Sequence, residues 1–371
     1  MSGIFIGLIS GTSADGIDAV LMESAPAPRI TATHFSPYPD PVRERVLKLS
    51  TGHYSGDPVD EFGGLDVELG ELFAAAALAL LEESGTPPSK VRAIGSHGQT
   101  VRHRPRARHP FTLQIADPNV IAARTGIAVA ADFRRRDVAL GGQGAPLLPA
   151  FHKVAFADPS EARVVANIGG IANITLLPPQ GEVLGFDTGP GNVLMDLWSR
   201  EHLGAAYDED GDFAAGGQVD ADLLASLLKD SYFAAPPPKS TGPEHFNHGW
   251  LMAALGGRKL APADVAATLS ELSARNIADA LQRHAPATRK VYLCGGGAHN
   301  SHLLERLAAN LPKAKVMSTE VLGIHPDWVE AAGFAWLAHQ TLEGLPGNLP
   351  SVTGAGKSAV LGAIYPAVKG S

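Results

Sequence analysis

The sequence predicts two α/β domains, and three observations lead to this prediction. The chain has 371 residues, which is long for one domain and comfortable for two. Short apolar runs typical of buried strands alternate with longer helical patterns, and this alternation occurs twice along the chain. A stretch rich in glycine and proline, residues 140–146, separates the two sets and is typical of a hinge or a domain boundary. We therefore expect two packed α/β domains with a cleft between them.

The first set of elements begins with a pair of strands. Residues 4–9 and 19–22 are apolar enough for buried strands, and the Asp-Gly pair between them favours a hairpin. Apolar residues at helical spacing predict a long helix over 65–83. Further short strands are expected at 91–95, 112–115 and 128–132.

The second set repeats this arrangement. Residues 164–168 and 172–177 predict strands on either side of two glycines, and 183–186 predicts a third strand. The elements expected after them are a helix from about 192, a long amphipathic helix at 262–284, a strand at 291–294, helices from about 301 and at 329–342, and a short helix at 359–365.

Composition and charge exclude several classes of protein. The formal net charge is −8, which argues against a surface that binds nucleic acid, because such a surface needs a basic stripe. Cys294 is the single cysteine, so an intramolecular disulfide is impossible and a reducing cytosol is suitable. The sequence shows no signal-peptide pattern and no apolar run long enough to span a bilayer. We expect a soluble cytoplasmic protein without nucleic-acid or membrane partners.

Residues 7–18 form the first motif with chemical meaning. A hairpin tip flanked by glycines lets backbone N–H groups approach an anion closely, and serine and threonine hydroxyls add further donors. Asp15 and Asp18 would repel a phosphate unless Mg²⁺ lay between them, so both are candidate metal ligands. An ordinary Asp-Gly turn is the alternative interpretation.

Three glycine motifs follow in the second set of elements, at 167–173, 186–192 and 294–300. In the middle one, Asp187 ends a strand and precedes a glycine-rich turn that opens a helix, so its carboxylate could act as a general base at the mouth of a cleft. An aspartate that only caps the helix is the alternative. The three consecutive glycines of the last motif would offer a flat surface to adenine or ribose, or would simply make a tight connection from strand to helix.

Two polar segments of the first half are suited to a sugar. Residues 96–101 offer mixed hydrogen-bond donors and acceptors, although a histidine in such a loop is often structural. The arginines at 134–136 could hold a carboxylate in a bidentate manner, or could belong to an interdomain salt-bridge cluster. Residues 353–358 look like a phosphate-binding P-loop, but Ser351 stands where that motif needs its first glycine, so we do not expect a nucleotide there.

The order of these motifs resembles the two phosphate motifs and the adenosine motif of the actin-like ATPase superfamily. Within it, the chain is similar to the anhydro-N-acetylmuramic acid kinase family in eight segments, which are 7–18, 96–103, 132–149, 167–175, 185–192, 238–247, 294–300 and 325–338. The resemblance implies an α/β, two-domain actin/hexokinase-like (ribonuclease H-like) fold with a central cleft. It implies an N-terminal domain of 1–136 plus about 348–371 and a C-terminal domain of 137–347.

The resemblance also implies a reaction, namely conversion of 1,6-anhydro-N-acetylmuramic acid, ATP and water to N-acetylmuramic acid 6-phosphate and ADP during peptidoglycan recycling. Asp187 would be the catalytic base, ATP and Mg²⁺ would be the cofactors, and the protein would be a homodimer. The residues implied to bind the nucleotide are Gly11, Thr12, Ser13, Ala14, Asp15, Gly16, Ile17, Asp18, Gly169, Gly170, Gly189, Gly191, Gly295, Gly296, Gly297 and Asn300, with Asp15 and Asp18 at the metal. The residues implied to contact the sugar are His97, Gln99, Thr100, Arg134, Arg135 and Glu330.

Three other functions are compatible with the motifs taken one at a time. One is a kinase of the same superfamily that acts on another sugar or on a small carboxylate. A second is a chaperone-like module that changes shape with nucleotide and needs no base at Asp187. A third is a filament-forming protein like actin.

Overall fold

The computed structural model describes residues 3–52 and 56–367. The chain divides into two compact units, which we treat separately. The first unit comprises Met1–Ala155 and Trp328–Ser371, and the second comprises Phe156–Asp327.

The elements of the first unit come from both ends of the chain. Its strands are β1 Ile4–Ser10, β2 Gly16–Glu23, β3 Arg29–Pro37, β4 Val91–Arg104, β5 Phe111–Ile115, β6 Val129–Ala131 and, after the second unit, β12 Ala363–Tyr365. Its helices are α1 Asp40–Thr51, α2 Pro58–Ser84, α3 Pro118–Thr125, α4 Arg135–Ala139, α5 Pro149–Phe156, α13 Val329–Leu342 and α14 Pro350–Thr353.

The second unit lies between them in sequence. Its strands are β7 Arg163–Ile168, β8 Ile171–Leu177, β9 Leu184–Pro190, β10 Lys290–Cys294 and β11 Lys315–Ser318. Its helices are α6 Val193–Leu203, α7 Asp212–Ala215, α8 Ala221–Leu227, α9 Ser231–Ala234, α10 His248–Leu255, α11 Pro262–His284 and α12 Ser301–Asn310.

The two sheets share one topology. Among the described residues the first sheet has the order β12-β6-β4-β1-β2-β3, with β5 paired to β4, and the second has the order β11-β10-β7-β8-β9. In each sheet the three strands that come first in the chain pair antiparallel. On the other side of β1, strands β4 and β6 run parallel to it and β12 pairs antiparallel with β6; on the other side of β7, strands β10 and β11 run parallel to it. This topology agrees with the actin/hexokinase-like (ribonuclease H-like) α/β fold that the sequence predicts. The cleft expected between the domains stays a prediction.

Strand β1 is almost entirely buried because helices cover both faces of the first sheet. On one face α2 contributes Leu65, Leu69 and Phe73, and each fully buried side chain of this kind contributes roughly 1.5–3 kcal/mol. On the other face α13 packs so closely that a Cβ at Gly7 would overlap the carbonyl oxygen of Ala331. The helix approaches the strands to this distance only because glycine has no side chain.

The division between the units differs from the expected boundaries at 136/137 and 347/348. Residues 137–155 and 328–347 belong to the first unit. The buried carboxylate of Asp137 accepts hydrogen bonds from Gly144 N at 2.8 Å and from the side chains of Asn348 and Thr353 at 2.7 Å each. Because this carboxylate ties the glycine-rich stretch to the C-terminal segment, the stretch is an internal loop of the first unit and the predicted boundary there is wrong.

Two further sequence predictions need correction, and one strand was not predicted. The tail was expected to form a short helix at 359–365, but Ala363–Tyr365 pairs antiparallel with β6; the backbone groups of that edge are available for pairing. Strand β3 lies in a stretch without an alternating apolar pattern and was not predicted. Helix α2 begins at Pro58, seven residues before the expected start, because Asp57 caps it by accepting from Val59 N at 2.8 Å.

In the described part of the chain, no helix is both long and apolar enough to cross a lipid bilayer.

Candidate active site

The β1–β2 hairpin has the form of an anion-binding loop. Its tip, residues 11–15, projects from two buried strands, and Thr12, Ser13 and Asp15 are exposed there. The tip is closed by a hydrogen bond from Ala14 N to Gly11 O at 3.2 Å, and Ala14 has a positive φ of 49°. A non-glycine residue in this region stores local strain, which is often found at ligand loops. Gly16, Ile17 and Asp18 belong to β2 and anchor the loop.

The side chain of Gln99 holds this hairpin through two hydrogen bonds. It is 1% exposed, and its Oε1 accepts from Ser10 Oγ at 2.7 Å while its Nε2 donates to Gly11 O at 3.1 Å. Both halves of the amide are therefore used within the protein, next to the loop. This structural role differs from the sugar contact that the sequence predicts for Gln99.

His97 and Arg134 form a fixed pair. Arg134 Nε donates to His97 Nε2 at 3.0 Å, and Arg134 Nη1 donates to Gly144 O at 2.8 Å. His97 Nδ1 donates to Gly98 O at 2.9 Å, so the ring is a neutral tautomer with Nε2 as acceptor. Burial and the neighbouring guanidinium both hold the pKa of His97 well below its ordinary value. The buried histidine thus orients the arginine.

The other sugar contacts that were predicted lie on different elements of the first unit. Thr100 is half-buried on β4, and its Oγ1 accepts from Gln114 Nε2 at 3.1 Å. Arg135 is exposed and lies 3.4 Å from Asp132. Glu330 is half-buried in the first turn of α13.

Two glycine turns meet at the ends of strands in the second unit. Gly191 N donates to Gly170 O at 2.9 Å, and Asn192 N donates to Gly169 O at 2.8 Å. A Cβ at Gly191 would overlap Gly169 O, so the contact requires glycine. Gly189, with a φ of 155°, precedes this contact at the end of β9. The two turns that are predicted to bind phosphate, 169–170 and 189–191, are therefore in direct contact with each other.

The third glycine motif, residues 294–300, packs against the end of β7 beside these two turns. Gly295 has a φ of 79°, and a Cβ at Gly297 would overlap the side chain of Ile168. Gly296 begins a single turn of helix that ends at His299. Asn300 caps α12 by accepting from Leu303 N at 2.8 Å, so its oxygen has a structural use in addition to the nucleotide contact predicted for the residue. Sequence motifs separated by more than a hundred residues thus converge on one edge of the second sheet.

Asp187 lies on β9 beside this convergence and is 7% exposed. Its Oδ2 accepts from Thr241 N at 3.0 Å, its backbone oxygen accepts from Tyr232 Oη at 2.8 Å, and its backbone N donates to Lys239 O at 3.2 Å. Strand β9 is the outermost strand of the second sheet, so its outer side pairs with no other strand of that sheet. The segment 239–241 covers this outer side next to the carboxylate. The carboxylate is thereby fixed in orientation, as a general base requires.

Three residues next to Asp187 were not predicted from the sequence. Tyr232 and Thr241 hold it directly, and Asn173 is its cross-strand partner on β8. The buried atoms Asn173 Oδ1 and Thr241 Oγ1 have no hydrogen-bond partner within the described residues. Such atoms near a carboxylate point to a ligand. Two of these residues lie in the segments 167–175 and 238–247, which carry the family resemblance, but a pattern of residue types gives no indication of their contacts.

The segment that looks like a P-loop, residues 353–358, begins at the last residue of the short helix α14 of the first unit. Thr353 ends the short helix α14, and its hydroxyl donates to the buried Asp137. No strand leads into the segment in the described structure, which agrees with the prediction.

Comparisons with known proteins identify the relationship. Residues 3–367 match the profile of the family described as anhydro-N-acetylmuramic acid kinase. The chain is 54% identical over 363 residues to the anhydro-N-acetylmuramic acid kinase of Coxiella burnetii (strain Dugway 5J108-111), covering 97% of both chains. It is 53% identical over 370 residues to that of Xanthomonas campestris pv. campestris (strain 8004), covering 99% of this chain and 98% of the relative.

Two solved structures resemble the chain weakly. The activator of the 2-hydroxyisocaproyl-CoA dehydratase from Clostridium difficile with bound ADPNP has a TM-score of 0.48 at 12% identity, with 92% of this chain and 96% of that chain covered. A ROK family glucokinase from Streptomyces griseus, in complex with glucose and AMPPNP, has a TM-score of 0.43 at 15% identity, with 91% and 100% covered. The match over nearly the whole length and the identity above one half are decisive, and the chain belongs to the anhydro-N-acetylmuramic acid kinase family.

Proposed function

We propose that this chain, as a kinase of that family, converts 1,6-anhydro-N-acetylmuramic acid, ATP and water to N-acetylmuramic acid 6-phosphate and ADP in peptidoglycan recycling. The 6-oxygen of this sugar is tied to the anomeric carbon in an ether and carries no proton. A base that only deprotonates a sugar hydroxyl is therefore insufficient. Water has to bond to the anomeric carbon, the bond from that carbon to O6 has to break, and O6 has to take the γ-phosphoryl group.

The observation that carries the proposal is the fixed carboxylate of Asp187 at the edge where the glycine turns converge. We assign to it the removal of a proton from the attacking water. Thr241 N holds one carboxylate oxygen at 3.0 Å, and the backbone of Asp187 is held on both sides by Tyr232 and Lys239. A base that is held in this way loses little orientational freedom when the water binds, and general base catalysis typically contributes 10²–10⁴-fold in rate.

For the nucleotide, we assign the phosphates to the N–H groups and hydroxyls of residues 11–15 and to the turns at 169–170 and 189–191. The strained tip exposes Thr12 and Ser13 and is therefore accessible to an anion. We assign the adenosine to the surface at 295–297, with Asn300 beside it.

The residues present also fit Mg²⁺. Asp15 and Asp18 offer carboxylate oxygens near the loop, and no group of three or more acidic, histidine or cysteine ligands exists among the described residues. This agrees with an ion that uses one or two carboxylates and takes its other ligands from phosphates and water. Mg²⁺, when bound, neutralises negative charge on the β- and γ-phosphates.

For the sugar, we assign its lactyl carboxylate to Arg134. His97 and Gly144 O fix two sides of this guanidinium, and a planar guanidinium is suited to bidentate binding of a carboxylate. Thr100, Arg135 and Glu330 are further proposed contacts. We also propose that the enzyme is a cytoplasmic homodimer.

Phosphorus NMR of the protein with ATP, Mg²⁺ and 1,6-anhydro-N-acetylmuramic acid tests the proposal, with Asp187→Asn measured beside wild type. Asparagine keeps an oxygen that accepts from Thr241 N and loses the base, so we expect a sugar 6-phosphate signal from wild type and a rate about 10²–10⁴-fold lower from the variant. Asp222→Asn, an exposed aspartate on α8, is the matched control and should equal wild type. If wild type hydrolyses ATP at the same rate with and without the sugar and forms no sugar phosphate, the proposal is wrong.

A further inference from the structure

A cavity of about 160 Å³ lies inside the second unit, behind the strand that carries Asp187. Phe186 and Thr188, the neighbours of Asp187 on β9, line it together with residues of α9 and α11. Successive side chains of a strand point to opposite faces, so the cavity is on the face of β9 away from the Asp187 carboxylate. It is therefore separate from the position proposed for the attacking water. Its volume is well above the roughly 10–15 Å³ that a cavity needs in order to hold one water.

Lys239 places a positive charge in this cavity. The residue is 4% exposed, and its Nζ donates to Tyr232 O at 2.9 Å and lies 4.4 Å from the centroid of the Tyr232 ring. An ammonium group has three donors, and this one makes no ion pair within 4.0 Å among the described residues. Burial and the charge of Arg283 lower the pKa of Lys239 to about 8, against the opposing effect of Asp187. Buried charges are usually paired closely, whereas the charge of Lys239 is attracted by Asp187 without a close ion pair between them.

The remaining polar groups of the cavity favour an anion. Arg283, on the exposed side, uses Nη1 to donate to Phe233 O at 3.1 Å and keeps further N–H groups for a ligand. His284 also lines the cavity, and its pKa is lowered by burial and by Arg283 and Lys239. The acidic group of the lining is Asp279, which lies 3.5 Å from Arg275 on the same helix. The groups that face the cavity thus carry a net positive charge.

Asn276 adds an acceptor. Its Nδ2 donates to Pro190 O at 2.9 Å and to Leu272 O at 3.1 Å, which fixes the orientation of the amide. Its Oδ1 is buried and has no hydrogen-bond partner among the described residues. A buried acceptor beside two cations suits an anion that also carries a proton to donate.

We infer that this cavity is a binding site for a protonated tetrahedral oxyanion of the size of hydrogen phosphate. Lys239 and Arg283 donate to its oxygens, and its hydroxyl donates to Asn276 Oδ1. Hydrogen phosphate has both features at neutral pH, whereas sulfate has no proton to offer. The inference is independent of the proposed reaction, because no residue of the cavity takes part in a bond-making step.

Phosphorus NMR line broadening of sodium phosphate by the protein tests the inference. The titration contains Mg²⁺ and a non-hydrolysable ATP analogue, so that the nucleotide phosphates are already in place, and sodium chloride keeps the ionic strength constant. The variants are Arg283→Gln and Lys239→Met. The matched control is Arg258→Gln, since Arg258 is also an exposed arginine near the end of a helix and donates to a backbone carbonyl.

We expect saturable broadening with wild type and with Arg258→Gln. A lost charged hydrogen bond corresponds to about a tenfold or greater loss of affinity, and this loss is expected for Arg283→Gln. Sodium sulfate should displace phosphate only at several times the concentration at which phosphate itself half-saturates the site. Arg283 is exposed, so its variant remains informative if Lys239→Met does not fold. Absence of saturable broadening in wild type, or equal affinities of Arg283→Gln and the control, overturns the inference, and so does sulfate that competes as well as phosphate. Because the readout is binding, failure of the proposed kinase reaction leaves this test unaffected.

Discussion

Substitution of Gln99 by leucine separates two roles that the sequence and the structure assign differently. Leucine keeps the approximate volume and removes the two hydrogen bonds to the hairpin, so that Ser10 Oγ loses this acceptor and Gly11 O loses this donor. It also removes the longer bond from Gln99 Nε2 to Thr100 O at 3.4 Å. Each bond contributes about 1 kcal/mol net, and a buried group left unsatisfied costs about 1–3 kcal/mol. Ser10 and Gln99 are each 1% exposed, so water cannot easily replace the lost partners. We expect the free energy of unfolding to fall by roughly 2–3 kcal/mol.

The kinetic consequence depends on which ligand the loop serves. If the loop at 11–15 has to be ordered again when ATP binds, a cost of ~1–2 kcal/mol raises the KM for ATP about 5–30-fold. The KM for the sugar should stay unchanged. Steady-state release of ADP, measured while each substrate is varied in turn, gives both constants, and urea unfolding gives the stability.

Gln340→Leu is the matched control for this experiment. Gln340 lies on α13, and its Nε2 donates to Pro346 O at 3.0 Å on the surface. This variant should leave both KM values unchanged. A Gln99→Leu enzyme with a raised KM for the sugar and a normal KM for ATP would refute the positioning role and would restore the direct sugar contact.

Three other predictions follow from the same structure. Gly191→Ala should lower the free energy of unfolding by about 1–3 kcal/mol and reduce turnover, because the new methyl group overlaps Gly169 O. Urea unfolding measures the first effect and ADP release the second. Normal values of both would contradict the contact between the two turns. Arg134→Lys should raise the KM for the sugar by about tenfold or more, because lysine cannot donate to His97 and to a carboxylate in the geometry of a guanidinium, while the KM for ATP should not change. Burial lowers the pKa of His152 to about 3 in the folded protein, so the unfolded chain binds a proton at higher pH than the folded chain does. The free energy of unfolding therefore decreases as the pH falls below about 6.5, by roughly 2 kcal/mol at pH 5. Urea unfolding from pH 7.5 to 5 should show a correspondingly flatter profile for His152→Leu.

The local patterns of the sequence predicted much of the secondary structure. Helix α11 and helix α13 have the predicted bounds, because their apolar spacing extends over the whole helix. Strands β7 and β8 were found because glycines separate two buried runs. Strand β12 and strand β3 were not found, since an edge strand depends on the neighbour that it pairs with and needs no strong pattern of its own.

The family and its motifs were also readable from the sequence, because a motif keeps its residues within a few positions of one another. The roles of Gln99, Asp137 and Lys239 required the tertiary structure. Gln99 meets Ser10 across 89 positions, and Asp137 meets Thr353 across 216. Such contacts depend on strand register and on the path of distant loops, and nothing in the local sequence encodes either. The sequence alone thus determined which residue types stand at the candidate site, and only the tertiary packing within each unit decided which of them hold the others in place.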